Sequence, residues 1–431
     1  MNDRIKREKI GEGVFFTAIT DPKFKSNRIS VNLLLPLEEE TAANRAIVPF
    51  VLRLRYKDCP DFTQLNEKLC DLYGAIVDGD VRKYGAYQII NLSVQSLDDR
   101  YSIAGEPLVQ ECADLACGML FDPYLENGLF SEEDVCLERQ NLIDTIESEF
   151  NDKREYAINK CLSLMFDGSP LAVKKYGTRE KAQLITAKSA TDAYHDILRR
   201  AAVEILFIGC GDPSAAEKVF SARFAKTQRQ PVAYDASLPC VSAKQVRTVR
   251  EDMDIAQGKL VMGFRTGITV TSVDYPALMV ANAIFGGTAT SKLFLHVREE
   301  LSLCYYVNSS LDKWKGLMIV QAGAEFDQLE RVKTEVLHQL ELVQAGAFTQ
   351  EELEAAKRSL IATYCSILDV PNQLEDFQFG QNLAGLTFGP DELAEIIRVI
   401  DAQQVVEAAQ RIQLDTSYFL MGPEGGEEDA Q

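Results

Sequence analysis

The chain has 431 residues, of which 46% are hydrophobic and 9% aromatic, and 45 basic against 65 acidic side chains give a net charge of −20. This length exceeds what one hydrophobic core usually supports, so we expect at least two globular domains. The acidic balance excludes a nucleic-acid backbone as the main partner, because that partner requires a basic footprint on the protein.

Targeting and membrane signals are not found in the sequence. The N-terminal stretch MNDRIKREKI lacks the apolar core of a signal peptide. The longest apolar runs fall short of 18 residues, so we expect no membrane span and a cytoplasmic protein. The ten cysteines are scattered without a Cys-x-x-Cys pair, and we expect them to be reduced thiols of the core.

Hydrophobic periodicity predicts the elements of the first 210 residues. Apolar and polar residues alternate from Ile29 to Leu35, which is typical of a half-buried strand. An amphipathic segment from Ala43 to Arg55 follows, and Pro49 interrupts it. The same reasoning predicts helices at 64–73, within 103–149, at 157–166 and at 190–200, and strands at 83–95 and 203–208.

An internal repeat is the most informative feature of the chain. FSEEDVCLERQNLIDTIES, from Phe130, matches FTQEELEAAKRSLIATYCS, from Phe348, without a gap at a constant offset of 218. A second pair, Ile185–Gly211 and Ile400–Gly425, reads as a helix followed by a strand. A third and weaker pair begins at Leu69 and Leu301. Three matched pieces in the same order predict two homologous α+β halves.

The repeat also sets the expected boundaries. We predict an N-terminal half at 1–226, a polar linker at 227–258 and a C-terminal half at 259–431, with a frayed acidic tail at 423–431. Each half should be a mainly antiparallel sheet of about four to six strands, with helices packed mainly on one face.

The segment FGGTATSKLFLHVREELSLCYYV, residues 285–307, is the strongest candidate for a functional site. Gly286 and Gly287 predict a flexible turn, because glycine tolerates positive φ. A helix should follow, with an apolar stripe of Leu293, Val297 and Leu301. A strand from Cys304 to Val307 should come next, so that Arg298 and Tyr305 lie near one another. The alternative interpretation is a solvated helix arginine and a half-buried strand tyrosine.

With its two homologous halves and the segment 285–307, the sequence resembles the pitrilysin/insulinase family of metallopeptidases. The second-half pattern of that family is a Gly-rich turn, then Ser-Arg/Lys-Leu-Phe, then an Arg and a Tyr seven residues apart. Arg298 and Tyr305 stand at that spacing. The resemblance covers nearly the whole chain and implies an α+β fold whose two homologous halves form a clam-like chamber.

Active members of the family carry His-x-x-Glu-His on a first-half helix, where two histidines bind zinc and the glutamate is the general base. In this chain the corresponding positions are Pro49, Leu52 and Arg53, and leucine and arginine are not zinc ligands. Glu147 is a candidate remnant of the third ligand, which lies downstream in the family. We therefore expect no zinc in this chain.

Histidines elsewhere do not replace the motif. The chain has three, His195, His296 and His338, and none has another histidine within five residues. His338 lies three residues from both Glu335 and Glu341, which is far short of a metal site.

The resemblance implies a function that does not need zinc in this chain. Some members work as heterodimers, in which a zinc-bearing paralogue holds zinc and the general base. We expect this chain to be the non-catalytic subunit of such a peptidase, inactive by itself, with Arg298, Tyr305, Gly286 and Gly287 contacting the peptide substrate. Without its partner the chain could form a homodimer. The alternative is a structural or peptide-binding scaffold with no role in hydrolysis.

Overall fold

The computed structural model describes residues 4–235 and 245–422. The described residues form eleven strands: β1 (Ile5–Gly11), β2 (Val14–Thr20), β3 (Ser26–Pro36), β4 (Ile76–Tyr84), β5 (Tyr87–Leu97), β6 (Ala202–Gly209), β7 (Arg247–Asp252), β8 (Gly258–Arg265), β9 (Tyr306–Asp312), β10 (Leu317–Ala324) and β11 (Gln413–Met421).

The same residues form fifteen α-helices. In the first half they are α1 (Glu39–Ala46), α2 (Val48–Leu52), α3 (Phe62–Asp71), α4 (Leu108–Phe121), α5 (Glu132–Asn151), α6 (Lys153–Met165), α7 (Arg179–Gln183), α8 (Ala187–Arg200) and α9 (Pro213–Phe224). In the second half they are α10 (Tyr275–Asn282), α11 (Leu329–Gln344), α12 (Gln350–Ile367), α13 (Pro371–Ala384), α14 (Pro390–Arg398) and α15 (Ala402–Ala409). Two π-helices, Ala283–Gly287 and Leu293–Glu300, follow α10.

The two sheets share one topology. The first has the strand order β1-β2-β6-β3-β5-β4 and the second β7-β11-β8-β10-β9. Without β1 the orders correspond strand for strand, and each sheet has one parallel pair in the same place, β2 with β6 and β7 with β11. All other pairs are antiparallel. The predicted α+β fold with two homologous, mainly antiparallel halves is confirmed.

The helices repeat as well. Five α-helices, α4 to α8, separate β5 from β6, and five, α11 to α15, separate β10 from β11. The matched pieces found in the sequence fall on α5 and α12, and on α8–β6 and α15–β11. In the first half the apolar face of the sheet, which includes Val31, Leu33 and Phe207, packs with helix residues such as Leu115 into one core.

The chain folds into two compact units that do not coincide with its sequence halves. One unit is Met1–Ser148, Val173–Asp235 and Val370–Gly380, and the other is Glu149–Ala172, Ala236–Asp369 and Gln381–Gln431. The second unit therefore contains α6 from the first half, and the first unit contains most of α13 from the second half. These helices are equivalent, since Lys153 and Pro371 begin them at the repeat offset of 218.

Each of these helices packs on a sheet built by the other half of the sequence. In the second unit, Cys161 and Met165 of α6 join a buried cluster with Val261 and Ile319. Gly263 of β8 permits this approach, because a Cβ atom there would overlap the sulfur of Met165.

In the first unit the contact with α13 is charged. The Arg28 guanidinium on β3 donates to the carboxylate of Glu375, whose side chain is 1% exposed. The ring of Phe379 also lies 5.4 Å from that of Tyr84 on β4. Because both side chains of the ion pair are buried, removing one would leave the charge of the other uncompensated inside the protein.

Some predicted boundaries differ from the structure. The linker predicted at 227–258 contains β7, which pairs in parallel with β11 and so belongs to the second sheet. Its residues 236–244 and the predicted tail 423–431 lie outside the described residues. The polar composition of β7 conceals this strand in the sequence, because an edge strand needs little apolar character.

Local predictions were refined in three places. The break near Pro49 occurs before it, since α1 ends at Ala46 and proline lies in the first turn of α2, where its missing N–H costs nothing. The strand predicted at 83–95 is the end of β4, a turn with Gly85 at φ 57°, and most of β5. Of the nine cysteines described, Cys70, Cys136 and Cys365 are exposed, so placing all cysteines in the core was wrong.

Among the described residues no helix is long and apolar enough to cross a membrane.

We predict that Glu375→Ala destabilises the first unit by about 3 kcal/mol, because it leaves the Arg28 guanidinium buried without its counterion. Hydrogen exchange of the β3 amides during urea unfolding measures this loss. The control is Glu395→Ala, which removes an exposed ion pair with Arg398 and should change stability by less than about 1 kcal/mol. Equal effects of the two substitutions would contradict the importance of the buried pair.

Candidate functional site

The candidate segment lies at one edge of the second sheet and has unusual backbone geometry. Helix α10 continues directly into the π-helix Ala283–Gly287, and a short loop leads to the π-helix Leu293–Glu300. The chain then enters β9, which is an edge strand. π-Helical turns are rare and occur frequently at functional sites, so the backbone itself marks this segment.

The glycine pair does not form the flexible turn that we predicted. Gly286 is buried, and a Cβ atom there would lie 2.6 Å from Leu293 Cδ1 and 2.7 Å from Ser309 Oγ. Neither Gly286 nor Gly287 has a positive φ. The pair ends a π-helix instead. Because Gly286 has no side chain, the second π-helix and β9 can pack closely against it.

The second π-helix is anchored on its inner side. Leu293 and Val297 are fully buried, as the predicted stripe requires, but Leu301 is 46% exposed because the helix ends at Glu300. Lys292, at the start of the helix, is buried and its Nζ lies 2.9 Å from Glu352 Oε1 at the first turn of α12. Burial tends to raise the pKa of Glu352, but hydrogen bonds from Lys292 and from a backbone N–H outweigh it and lower this pKa.

Arg298 lies on the outer side of the same helix. Its side chain is 40% exposed, its Nε lies 3.5 Å from Glu299 Oε1, and its guanidinium is 4.7 Å from the centre of the Phe294 ring. The arginine is thus supported by an aromatic face and held by a weak surface ion pair, which leaves donor N–H groups open to solvent.

Tyr305 directly precedes β9, so the strand begins two residues later than predicted. Its backbone N–H donates to the Gly323 carbonyl oxygen over 2.8 Å, and its side chain is exposed. The hydroxyl donates to the carboxylate of Glu325, and this hydrogen bond raises the pKa of Tyr305. In the free chain, therefore, the hydroxyl offers a ligand an acceptor, and its own hydrogen is engaged.

Arg298 and Tyr305 are both accessible, but within the described part of the chain no hydrogen bond joins them. Arg298 pairs with Glu299 and Tyr305 with Glu325. Cys304 lies between them in sequence and is buried. Burial raises the pKa of the Cys304 thiol to about 11, and the positive charge of Arg298 opposes part of that rise.

The positions that correspond to the zinc motif are occupied by residues of the core and its rim. Pro49 and Leu52 of α2 are buried, and α2 lies so close to β4 that a Cβ on Gly79 would be 2.5 Å from the Pro49 carbonyl oxygen. Arg53 caps α2 and lies 3.7 Å from Asp78. These residues do not fit a zinc ion, since they provide neither imidazole nor carboxylate.

Glu147 does not restore a metal site. Its carboxylate pairs with Arg179 at 2.5 Å on the surface of α5. His296 Nδ1 lies 2.6 Å from Glu300 Oε2, which is an ordinary helix pair. Over residues 4–235 and 245–422, no group of three or more His, Cys, Asp or Glu side chains could hold a metal ion.

Arg298 and Tyr305 are supported by residues that the sequence did not single out. Phe294 lies beneath the arginine, and its i, i+4 spacing could have indicated the contact. Glu325 follows β10 and Tyr305 precedes β9, so the two residues meet at the open end of the β9–β10 hairpin. They are 20 residues apart in the chain, and no local pattern links them. Lys292 resembles a surface lysine until α12 is placed beside it.

Comparison with known proteins is consistent with this geometry. A family profile described as "Peptidase M16 inactive domain" matches residues 184–360. A protein of Bacillus subtilis named probable inactive metalloprotease YmfF is 29% identical over 403 residues, which cover 94% of each chain. A second protein of the same bacterium, the uncharacterized zinc protease YmxG, is 23% identical, with 98% of this chain and 99% of that protein covered.

Solved structures agree. The crystal structure of a conserved protein from Enterococcus faecalis superposes with a TM-score of 0.89 at 28% identity, covering 98% of this chain and all of that one. Together with the repeated fold, these similarities identify the chain as a homologue of the pitrilysin/insulinase peptidases. The positions that correspond to the zinc motif of active members hold no histidine in this chain.

Proposed function

We propose that this chain is the non-catalytic subunit of a heterodimeric insulinase-like peptidase. A zinc-bearing paralogue would hold zinc and the general base, and this chain would contribute Arg298 and Tyr305 to binding the peptide substrate. The observation that carries the proposal is a contrast. Arg298 is exposed on the second π-helix and Tyr305 is exposed just before β9, whereas Pro49 and Leu52, at positions of the zinc motif, are buried.

The relatives support a paired arrangement. Bacillus subtilis contains one protein named a probable inactive metalloprotease and another named a zinc protease, and both align with nearly all of this chain. A genome that holds both kinds of relative could assemble a heterodimer from them. The chamber expected between the two halves remains a prediction.

The chemistry of Arg298 and Tyr305 suits recognition of a peptide undergoing attack. Negative charge develops on the scissile carbonyl oxygen, and a donor aimed at that oxygen can contribute roughly 2.7–4 kcal/mol to the transition state. The Arg298 guanidinium has N–H groups that are not used by its contact with Glu299 and can donate to the substrate. The Tyr305 hydroxyl would have to exchange Glu325 for the substrate, and because both side chains are exposed this exchange costs only about 1 kcal/mol.

Gly286 and Gly287 receive different roles in this proposal. Gly286 is buried, so its contribution would be to let Leu293 and Ser309 pack closely and thereby fix the arginine-bearing helix. Gly287 is exposed and retains the predicted contact with substrate.

The alternative is a peptide-binding or structural scaffold that takes no part in hydrolysis. The ion pair of Arg298 with Glu299 and the hydrogen bond of Tyr305 to Glu325 favour this alternative, because both side chains already have partners. A kinetic test separates the two functions.

We predict that this chain, mixed with a zinc-motif family member from the same genome, cleaves a quenched fluorescent peptide library, whereas this chain alone with zinc does not. In the mixture, Arg298→Ala should lower kcat by about 100-fold, as loss of an oxyanion donor does. Steady-state kinetics with each variant provide the measurement.

The matched control is Arg358→Ala, which removes an exposed arginine of the same unit outside the segment. Gel filtration must show that every variant still forms the complex. A stable complex without activity would support the scaffold, and metal-dependent activity of this chain alone would overturn the proposal.

Tyr305→Phe should lower kcat in the mixture by about 10-fold or more and leave KM nearly unchanged, because the hydroxyl would act mainly on the developing charge. The neighbouring Glu325→Gln should not reduce kcat, since it weakens the competing acceptor. If Tyr305→Phe raises only KM, the tyrosine binds the ground state and the donor role is wrong.

We predict that Cys304 is inert to iodoacetamide at pH 7 and becomes labelled only as the pH approaches 11, because the buried thiol stays protonated below its raised pKa. Peptide mass spectrometry compares it with the exposed Cys365 in the same sample. Arg298→Ala should shift the labelling of Cys304 to still higher pH, since it removes a positive charge that favours the thiolate. Rapid labelling of Cys304 at pH 7 would instead indicate an activated nucleophile.

A further inference from the structure

A cavity of about 490 Å³ lies in the second unit where the start of α6 meets the strand ends of the sheet. Residues 151–154, residues 254–257, Lys259 and Tyr306 line it. This volume is within the range of natural small-molecule pockets and would hold one or two amino-acid residues. The catalytic proposal does not use this cavity.

The floor of the cavity is a row of cross-strand neighbours. Lys259 of β8 pairs with Gly323 of β10, and Gly323 pairs with Tyr306 of β9. Because Gly323 has no side chain, the Tyr306 ring lies across its Cα, where a Cβ atom would overlap the ring. The ring centre thereby comes within 5.6 Å of the Lys259 ammonium.

A second cation, Arg154, reaches the same ring from α6. The guanidinium of Arg154, from α6, lies 4.9 Å from the centre of the Tyr306 ring and donates to the amide oxygens of Gln321 and Asn308. The Lys153 ammonium instead lies 3.9 Å from the centre of the Phe150 ring and donates to the Phe150 carbonyl oxygen. Both neighbours of the guanidinium are neutral, so its charge is hydrogen-bonded but not balanced.

Within the described residues these cations form no close ion pair, although the protein is strongly acidic. Lys259 donates to the amide oxygen of Gln257. Within the portion of the chain that the structure describes, no carboxylate oxygen lies within 4 Å of the charged nitrogens of Lys153, Arg154 or Lys259. In a chain with 65 acidic and 45 basic residues, two such cations, Arg154 and Lys259, at one cavity indicate a site for an anion.

The two aspartates of the lining do not fill this role. Asp152 caps α6 by accepting from the backbone N–H groups of Arg154 and Glu155. Asp254 is exposed and lies in the segment between β7 and β8. Burial lowers the pKa of Lys259; the charge of Asp152 opposes this shift, and the charge of Arg154 adds to it. Because the net direction is downward, an incoming anion would relieve an existing electrostatic cost.

We propose that this cavity binds a peptide carboxylate, with Lys259 and Arg154 pairing to the charge and Tyr306, Ile255 and Ala256 packing on the adjoining side chain. Arginine and lysine donors at a partly buried site form strong charge-assisted hydrogen bonds with carboxylates. The carboxylate site depends on the proposed peptidase function in one respect only, namely that its ligand is a peptide. Tyr305 of the candidate segment directly precedes Tyr306 in the chain.

The test uses three fluorescein-labelled pentapeptides and the full-length chain without any partner. The first is Ala-Ala-Phe-Ala-Leu with a free C-terminal carboxylate, the second is its C-terminal amide, and the third is the amide of Ala-Ala-Phe-Glu-Leu. Fluorescence anisotropy should show that the free acid binds about tenfold more tightly than the first amide, which corresponds to about 1.4 kcal/mol. Tight binding of the glutamate-containing amide would identify an acidic side chain as the source of the carboxylate.

Lys259→Met should abolish the difference between acid and amide, and Lys188→Met, at an exposed lysine of α8, should preserve it. Gly323→Ala displaces the Tyr306 ring without changing any charge and should also abolish the difference, with circular dichroism verifying that the variant is folded. Raising the salt concentration should reduce the difference, because it screens the charges.

Equal binding of acid and amide by the unaltered protein, or an acid preference that persists in Lys259→Met, would overturn the carboxylate site. Arg358→Ala, at an exposed arginine of the same unit, should leave the ratio of acid to amide affinities unchanged. The two proposals can therefore fail separately, since loss of complementation by Arg298→Ala concerns the shared catalytic site and loss of carboxylate discrimination by Lys259→Met concerns this cavity.

Discussion

The structure depends on covering the second face of each sheet. Each half of the sequence provides several helices for one face of its own sheet, and a single equivalent helix, α6 or α13, that packs on the sheet of the other half. Both contacts bury apolar side chains, but only the contact of α13 is built around an ion pair. In the second unit α6 buries Cys161 and Met165 against apolar strand residues, whereas in the first unit α13 is held by the buried pair of Arg28 and Glu375. Neither unit can therefore be built from one half of the chain alone.

The duplicated fold explains how one half could lose its metal chemistry while the chain kept its architecture. Helix α2 needs only to cover the sheet close to β4, and Pro49 and Leu52 achieve this by burial of apolar surface. Ligand histidines would have to be desolvated and oriented at the same place. Replacing them by hydrophobic residues removes that constraint on the core, so loss of the motif is compatible with an intact first unit.

In the second half, the backbone of the candidate segment is held by several specific contacts. Its candidate segment holds two π-helices, a buried lysine paired with Glu352 and a glycine that admits its neighbours closely, and these features fix the backbone beneath Arg298 and Tyr305. Such support restricts the positions that the two exposed side chains can reach, which is the requirement for a binding or transition-state contact. The cationic cavity around Tyr306 begins at the next residue, so one short stretch connects both proposed sites.

The sequence by itself determined the repeat, the α+β class, the strand–helix order of most elements and the absence of a zinc motif, because all of these follow from local periodicity or from residue identity at a known spacing. It could not determine that α6 and α13 exchange units, that Gly286 is a packing residue and not a turn, or that Glu325 binds Tyr305. Only the tertiary structure decided these points. Each depends on contacts between residues far apart in the chain, and the free energy of such contacts comes from burial and charge pairing that no local pattern encodes.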